Sequence, residues 1–455
     1  MKMIIFGIIA KRDVDFFLNI AQSIQRNSDE EVSFISFYEP GNKKINKAGF
    51  KVYNLYDYVK NKSNDIDFSD YLISDIKDFI LHEMVTFNTS EKKVISKYKR
   101  YLPAINYIIE DIISHSNGKK VVILQELGGF VAPLSLYFCA MKNKIDHYFF
   151  EPSFFKGRLL FVKNDYLSLQ LPNNFTLNTD IKDKLNALSQ NKTTLIPEKD
   201  IHHFKYNIFR KIATLKNLKI IFTKIFNKYI FSKKEEYNHI FNHIIRNLNY
   251  MFNSYVVKKF YSKEIVSENF NIYFPLHVPL DYALTIRAPK YFDQLKLIEN
   301  ILALTTKNNF TLFIKEHPAS IGGFSSKRIK KIIQKYPNNF VLLDPKINTY
   351  DIIKKVNLIL TINSKTGAEA LSLYKKVISL GDSFYMHSSE VIYCEHFEEL
   401  DKKIYELKND VSKTVNEENI ISFFSKIYRH SYPLELYSNE ENNLTQFANI
   451  ILKEI

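Results

Sequence analysis

Residues 358–380 read LILTINSKTGAEALSLYKKVISL, and the stretch changes period twice. Leu358 to Ile362 is a short apolar run, the pattern of a buried strand. Asn363 to Thr366 is a small polar turn, and Gly367 to Tyr374 takes up helical spacing. Lys376 to Leu380 returns to a strand. The same alternation extends upstream to Asn271. Strands are predicted at Ile272–Leu276, Thr311–Lys315 and Phe340–Leu343, and helices at Gln294–Thr305, Ser326–Tyr336 and Asp351–Val356. Strands alternating with helices predict a parallel sheet covered on both faces. This is a doubly wound domain, placed at residues 266–415.

A second alternation lies at the start of the chain. Lys2–Ile9, Val32–Phe37, Lys51–Leu55, Val121–Leu124 and His147–Phe150 read as strands, and Val14–Gln25 and Phe130–Met141 as helices. The first domain is placed at residues 1–170. Residues 171–265 break the pattern and read as a basic helical interdomain region, and 416–455 as helices packing back across the domains. The expected fold class is α/β, with two doubly wound, Rossmann-like domains facing across a cleft. Ligands of such sheets bind beyond the carboxyl ends of the strands.

Composition narrows the class of protein. At 455 residues, 45% hydrophobic and 25% charged, the chain is globular and long enough for two or three domains. Cys139 and Cys394 are far apart and have no CxxC partner, so neither a disulfide framework nor a structural zinc site is expected. The apolar run Met3–Ala10 is ended by Lys11, Arg12 and Asp13, too short for a membrane span and in the wrong order for a signal peptide. The protein is expected in the cytoplasm. Its net charge of +14 favours anionic partners. From Lys205 to Lys234 the charged residues are all Lys or Arg, with Ile, Leu and Phe between them. Two readings follow. This basic amphipathic segment holds the chain at the anionic inner-membrane surface, or its apolar face packs on the domains with the lysines solvated. It has no RRM, KH or zinc pattern, and no nucleic-acid partner is expected.

Five clusters sit at strand ends. Lys315-Glu316-His317-Pro318 places an imidazole and an ammonium where a phosphate would bind, with Pro318 biasing His317 to an extended backbone. In Asn363 to Glu369, the hydroxyls of Ser364 and Thr366 and the N–H groups of Lys365 to Gly367 suit an anion, and Glu369 suits ribose hydroxyls. Thr366-x-x-Glu369 is equally a capping box, which leaves Asn363, Ser364 and Lys365 at the mouth. His277 ends the strand Ile272–Leu276. Glu126 ends another, beside Gly128-Gly129: a general base with room for close substrate approach, or a solvated carboxylate before a turn. Glu151, followed by Lys156 and Arg158, is either a substrate-binding group or an internally paired polar loop.

YFPLHVPLD (273–281), LFIKEHP (312–318) and LTINSKTGAEALSLYKKVISLGDSFY (360–385) together resemble the bacterial capsule polysaccharide biosynthesis family, which includes the β-Kdo transferases. FFEPSFFKGRLLFVKND (149–165) resembles that family's N-terminal Glu-containing loop. The resemblance implies a GT-B architecture and an inverting glycosyltransferase of surface polysaccharide assembly. It implies a donor held mainly by the C-terminal domain, a CMP-linked acidic sugar such as Kdo or sialic acid, and a glycan or lipid-linked glycan acceptor. No cofactor or metal is implied beyond the nucleotide-sugar co-substrate. By the same resemblance His317, Ser364 and Thr366 hold the donor phosphate and Glu369 helps seat the nucleotide, with His277, Lys315, Asn363, Lys365 and Gly367 around them. An N-domain carboxylate, Glu126 before Glu151, serves as base. A CDP-polyol phosphotransferase of the teichoic-acid type is the alternative enzyme, ranked lower because Asn363-Ser364-Lys365-Thr366 replaces the Asp-Tyr-Ser-Ser of those proteins. A non-catalytic partner docking glycan or membrane is the alternative outside catalysis. Asp65-Ile66-Asp67, the DxD weighed as a metal motif, lies in a polar stretch and not after a strand.

Overall fold

The computed structural model describes residues 1–61, 73–169, 171, 180–190, 214–237, 239–266, 268–305, 309–409 and 414–455. Twelve strands form two six-stranded sheets among these residues. The first sheet contains β1 (Lys2–Ile8), β2 (Glu31–Ser36), β3 (Lys51–Asn54), β4 (Lys120–Glu126), β5 (Asp146–Pro152) and β6 (Leu159–Lys163), in the order β3-β2-β1-β4-β5-β6. The second contains β7 (Phe270–Pro275), β8 (Phe310–Lys315), β9 (Phe340–Leu343), β10 (Leu358–Thr361), β11 (Lys376–Ser379) and β12 (Val391–Tyr393), in the order β12-β11-β10-β7-β8-β9. Counted within each sheet, both orders are 3-2-1-4-5-6 running outward from a central pair. The order reverses between β1 and β4 and again between β7 and β10, so each sheet has one switch point where its carboxyl ends open a crevice.

All pairings are parallel except β5 with β6. There the turn at Gly157, whose φ is +68°, sends the chain straight back. The strand ends predicted from periodicity agree with those observed to within two residues, because strands buried on both faces are nearly all apolar. Two edge strands were not foreseen: β12 has only three residues, and β6 is a four-residue apolar run, Leu159–Val162, that follows β5 after a tight turn.

The C-terminal helices cross to the first domain, as the tail's pattern suggested. The helix Glu441–Glu454 lies on the helix Lys11–Asn27, with Phe447 edge-on to Phe16 at 5.3 Å and to Phe150 at 5.6 Å. The helix Glu417–Arg429 packs Phe424 against Phe154 in the same apolar cluster as Leu185 of the helix Ile181–Gln190.

The carboxyl edges of the two sheets face one another through the segment after β7. The short helix Tyr282–Thr285 brings Thr285 Oγ1 to within 2.8 Å of His82 Nδ1 in the first domain. Two residues further, Arg287 forms a bidentate pair with Glu151 at the end of β5, at 2.7 and 2.8 Å. This is the GT-B arrangement of two doubly wound domains.

Candidate functional site

In the second domain, the turn after β10 builds the central piece. Ser364 is the N-cap of the helix Lys365–Leu371, its side chain accepting from the N–H of Thr366 at 3.2 Å. The capping box expected of Thr366 and Glu369 is therefore not formed. The helix starts two residues earlier, and Glu369 lies on its buried side. Glu369 is only 4% exposed, and its charge acts on Lys315, Tyr273, Tyr350 and Tyr385. Tyr385, fully buried, donates to the carbonyl of Ser364 at 2.6 Å. A Cβ on Gly367 would lie 2.5 Å from the Tyr385 ring, so this glycine makes room for a tyrosine under the turn. Thr366 is buried, and Ser364 and Lys365 are half-exposed at the mouth. Asn363 donates to the carbonyl of Ala283 at 2.6 Å, which ties the turn to the Tyr282–Thr285 helix. Its Oδ1 is buried with no partner among the described residues.

His317 follows β8, two strands from β10 and therefore ~10 Å away across the sheet. Its Nδ1 accepts from the N–H of Ala319 at 3.2 Å, which leaves the proton on Nε2 as a donor. Its half-buried imidazole caps the 3-10 turn Pro318–Ser320. Lys315 does not join it at the edge. Its ammonium is buried and donates to Ile347 O at 2.9 Å and Thr349 Oγ1 at 2.8 Å, and burial lowers its pKa to about 8 against the opposing charge of Glu369. Glu316 is fully buried, accepts from Tyr261 and from the N–H of Gly322, and is pushed up to about 7 by burial. His277 lies at the end of β7, at the switch point itself. Its N–H donates to Gln294 at 2.8 Å, burial lowers its imidazole to about 4, and its Nε2 is buried without a partner among the described residues.

The first domain's switch point is equally polar. Glu126 ends β4 and accepts from Arg12 Nη2 at 2.7 Å and from the Tyr437 hydroxyl. Asp13 accepts from the N–H groups of Ile9 and Ala10 at 2.7 and 2.8 Å, and its Oδ1 lies 2.8 Å from the same Tyr437 hydroxyl, whose single proton goes to one of the two carboxylates at a time. Burial, with the charge of Glu126 behind it, lifts Asp13 to about 6. Arg12 also lies over the Tyr437 ring at 4.6 Å. Arg12 and Asp13 were legible only as the charges ending the first apolar run, although they follow the first strand of a doubly wound sheet. Tyr437, over four hundred residues away, carried no signal. The glycines beside Glu126 do not open space for a substrate. A Cβ on Gly129 would meet His82 at 2.6 Å, and one on Gly128 would meet Ile9 at 3.2 Å.

Glu151 and Arg158 are engaged elsewhere. Both Glu151 oxygens are held by Arg287, which Asp382 approaches at 3.8 Å. Arg158 donates to Ser431 Oγ at 2.8 Å and to the Tyr428 carbonyl at 2.9 Å, and stacks on the Tyr428 ring. Its fork binds the C-terminal segment. Lys156 stays exposed and shares a small depression between the domains with Lys365 and Glu435. Among the described residues no three His, Cys, Asp or Glu side chains gather as a metal site, and Asp65 and Asp67 lie outside the described residues.

Residues 139–388, more than half of the chain, match the family described as capsule polysaccharide biosynthesis protein. Protein FixF of Sinorhizobium fredii is 31% identical over 115 residues, which are 25% of this chain and 27% of that protein. The match thus spans about a quarter of that relative's length. Among solved structures, the β-Kdo 2,7 transferase KpsC of Thermosulfurimonas dismutans aligns over 84% of this chain and 98% of its own at 13% identity, with a TM-score of 0.35. A glycosyltransferase from Rickettsia africae aligns over 100% and 99% at 12% identity, with a TM-score of 0.33.

Proposed function

Because the chain belongs to the capsule polysaccharide biosynthesis family, we propose that it is a glycosyltransferase of bacterial surface-polysaccharide assembly. Its donor is a CMP-linked acidic sugar such as Kdo or sialic acid, its acceptor a glycan or lipid-linked glycan, and its transfer inverts the anomeric centre. The observation that carries this reading is the pair of switch points. One presents His277, His317, Ser364 and Lys365, the other Glu126, and the Tyr282–Thr285 helix joins the two edges.

The donor phosphate sits on the second edge, where His317 Nε2–H and the Ser364 hydroxyl donate to it and Lys365 adds positive charge. On the first edge Glu126 takes the proton of the acceptor hydroxyl, oriented by Arg12 and Tyr437. The acceptor oxygen bonds to the anomeric carbon as the bond from that carbon to the phosphate oxygen breaks. The electron pair leaves on the CMP phosphate, where donors already in place stabilise it. In this proposal side-chain donors stabilise the leaving phosphate in place of a metal, and EDTA should leave turnover unchanged; turnover lost to the chelator and restored by manganese refutes it.

Calorimetric titration with CMP, CDP, UDP and GDP, paired with turnover on a CMP-sugar, tests the assignment. His317→Ala should weaken CMP binding roughly 10- to 100-fold, the worth of a hydrogen bond to a charged group. Glu126→Gln should leave that affinity unchanged and lower kcat by about 10² to 10⁴. Unchanged CMP affinity in the first variant removes His317 from the donor site. Wild-type turnover in the second removes Glu126 as base.

A further inference from the structure

The two helices after the first domain carry their apolar residues outward. On the helix Ile240–Val257, the side chains Phe241, Ile245, Leu248, Phe252 and Tyr255 recur at intervals of four and three, a single stripe that is 56–79% exposed. The other side of this helix holds the protein. Asn242 donates to the Phe87 carbonyl at 2.6 Å, and Asn253 donates to Gly322 and accepts from Ser326. Even the space beneath is shaped for it, since a Cβ on Gly322 would meet the Tyr250 carbonyl at 2.1 Å. An ordinary surface helix has the opposite polarity. The helix Leu215–Ile225 and the turn after it continue the surface with exposed Leu218, Phe222, Phe226, Tyr229, Ile230 and Phe231. Contiguous exposed apolar surface on this scale marks a binding face.

Charge names the partner. Between Leu215 and Lys263 the acidic residues are Glu235 and Glu236, and both are buried. Glu236 is held by Lys97 at 2.6 Å within a group that includes Glu83, Tyr56 and Tyr101, which fixes the base of the two helices to the first domain. Lys219, Lys233, Lys258, Lys259 and Lys263 remain exposed around the apolar face. We propose that this face docks on the anionic surface of a phospholipid bilayer, its aromatic and aliphatic side chains in the acyl boundary and its lysines among the headgroups. Among the described residues no helix is long and apolar enough to cross a membrane, so the contact is in the plane of the interface. A second copy of the chain fits less well. The two basic rims would repel, and the positions flanking the stripe carry Asn242, Ile244, Asn249 and Met251 in place of the opposite charges that pair helices. The inference stands apart from the donor assignment, and places the protein where a lipid-linked acceptor is found.

Co-sedimentation of the full chain with phosphatidylglycerol-containing vesicles, with pure phosphatidylcholine as control, is the test. The wild type should bind the anionic vesicles, release with salt, and lose roughly fivefold in affinity for each of Lys219→Ala and Lys258→Ala. Phe222→Glu with Phe252→Glu should abolish binding and leave the melting temperature unchanged. Wild type that stays in the supernatant at low salt overturns the proposal, as does equal binding to both vesicle types. A dimer in light scattering that the double variant splits assigns the face to a second copy. A double variant that melts several degrees lower, from a wild type that ignores vesicles, shows the face covered by the chain itself.

Discussion

At the residue scale, burial decides charge. His147 of β5 is completely buried, stacks on Phe149 at 4.3 Å, and has both ring nitrogens without a partner among the described residues. Desolvation lowers its pKa to about 3, so it is neutral in the folded protein at neutral and mildly acidic pH. The unfolded chain, with an ordinary imidazole near 6.5, binds a proton that the folded chain does not. Stability from this group is therefore present above pH 6.5 and is lost as pH falls below it. His147→Phe, which keeps the ring and removes the proton, should reduce the stability lost between pH 7 and pH 5 by about 2 kcal/mol in urea unfolding. Glu316 works in the other direction. Its raised pKa means that the folded protein holds an extra proton between about 4.5 and 7, so its contribution is complete at low pH and is lost as pH rises through 7. His277 shares the physics of His147 and ends at the second switch point. Its identity as a strand-end histidine was plain in the sequence, whereas its burial depended on Gln294 and the surrounding core.

At the element scale, the turn after β10 illustrates how one motif is read in two registers. Ser364 and Thr366 are both good N-caps, and Glu369 stands three residues after Thr366, so local spacing favoured the later start. Packing favours the earlier one, because the tyrosine of the downstream GDSFY holds the Ser364 carbonyl and occupies the space above Gly367. Gly367→Ala should force the Tyr385 ring aside and cost about 1–3 kcal/mol, the usual range for overpacking a filled core. CMP affinity should fall with it, since the Ser364 turn rests on that ring. Thermal unfolding and nucleotide titration of the same variant check both halves. Stability that drops with affinity untouched would separate the turn from the donor site.

At the scale of the whole molecule, the ion pair between Glu151 and Arg287 joins the two domains. The Arg287 side chain is 7% exposed and also donates to the carbonyls of Tyr166 and Leu167. Glu151→Ala leaves that guanidinium buried beside Asp382 alone and should destabilise the protein by ~3–5 kcal/mol. It should lower turnover through loss of domain alignment, and urea unfolding distinguishes this from a base removed in a stable fold, as expected of Glu126→Gln. By itself, the sequence determined ten of the twelve strands, the two doubly wound domains, and the strand-end clusters of the second domain. All of these are written in local periodicity and in turn residues that follow strands. Tertiary structure alone decided the company each side chain keeps. Asp13, Glu126 and Tyr437 share hydrogen bonds across 424 residues, and Glu151 meets an arginine 136 residues away. It also decided which way an amphipathic helix turns. Periodicity shows that the helices between the domains have an apolar face, but a face is buried or bared only by what the rest of the chain sets against it, and here Asn242, Tyr250 and Asn253 took the inner side.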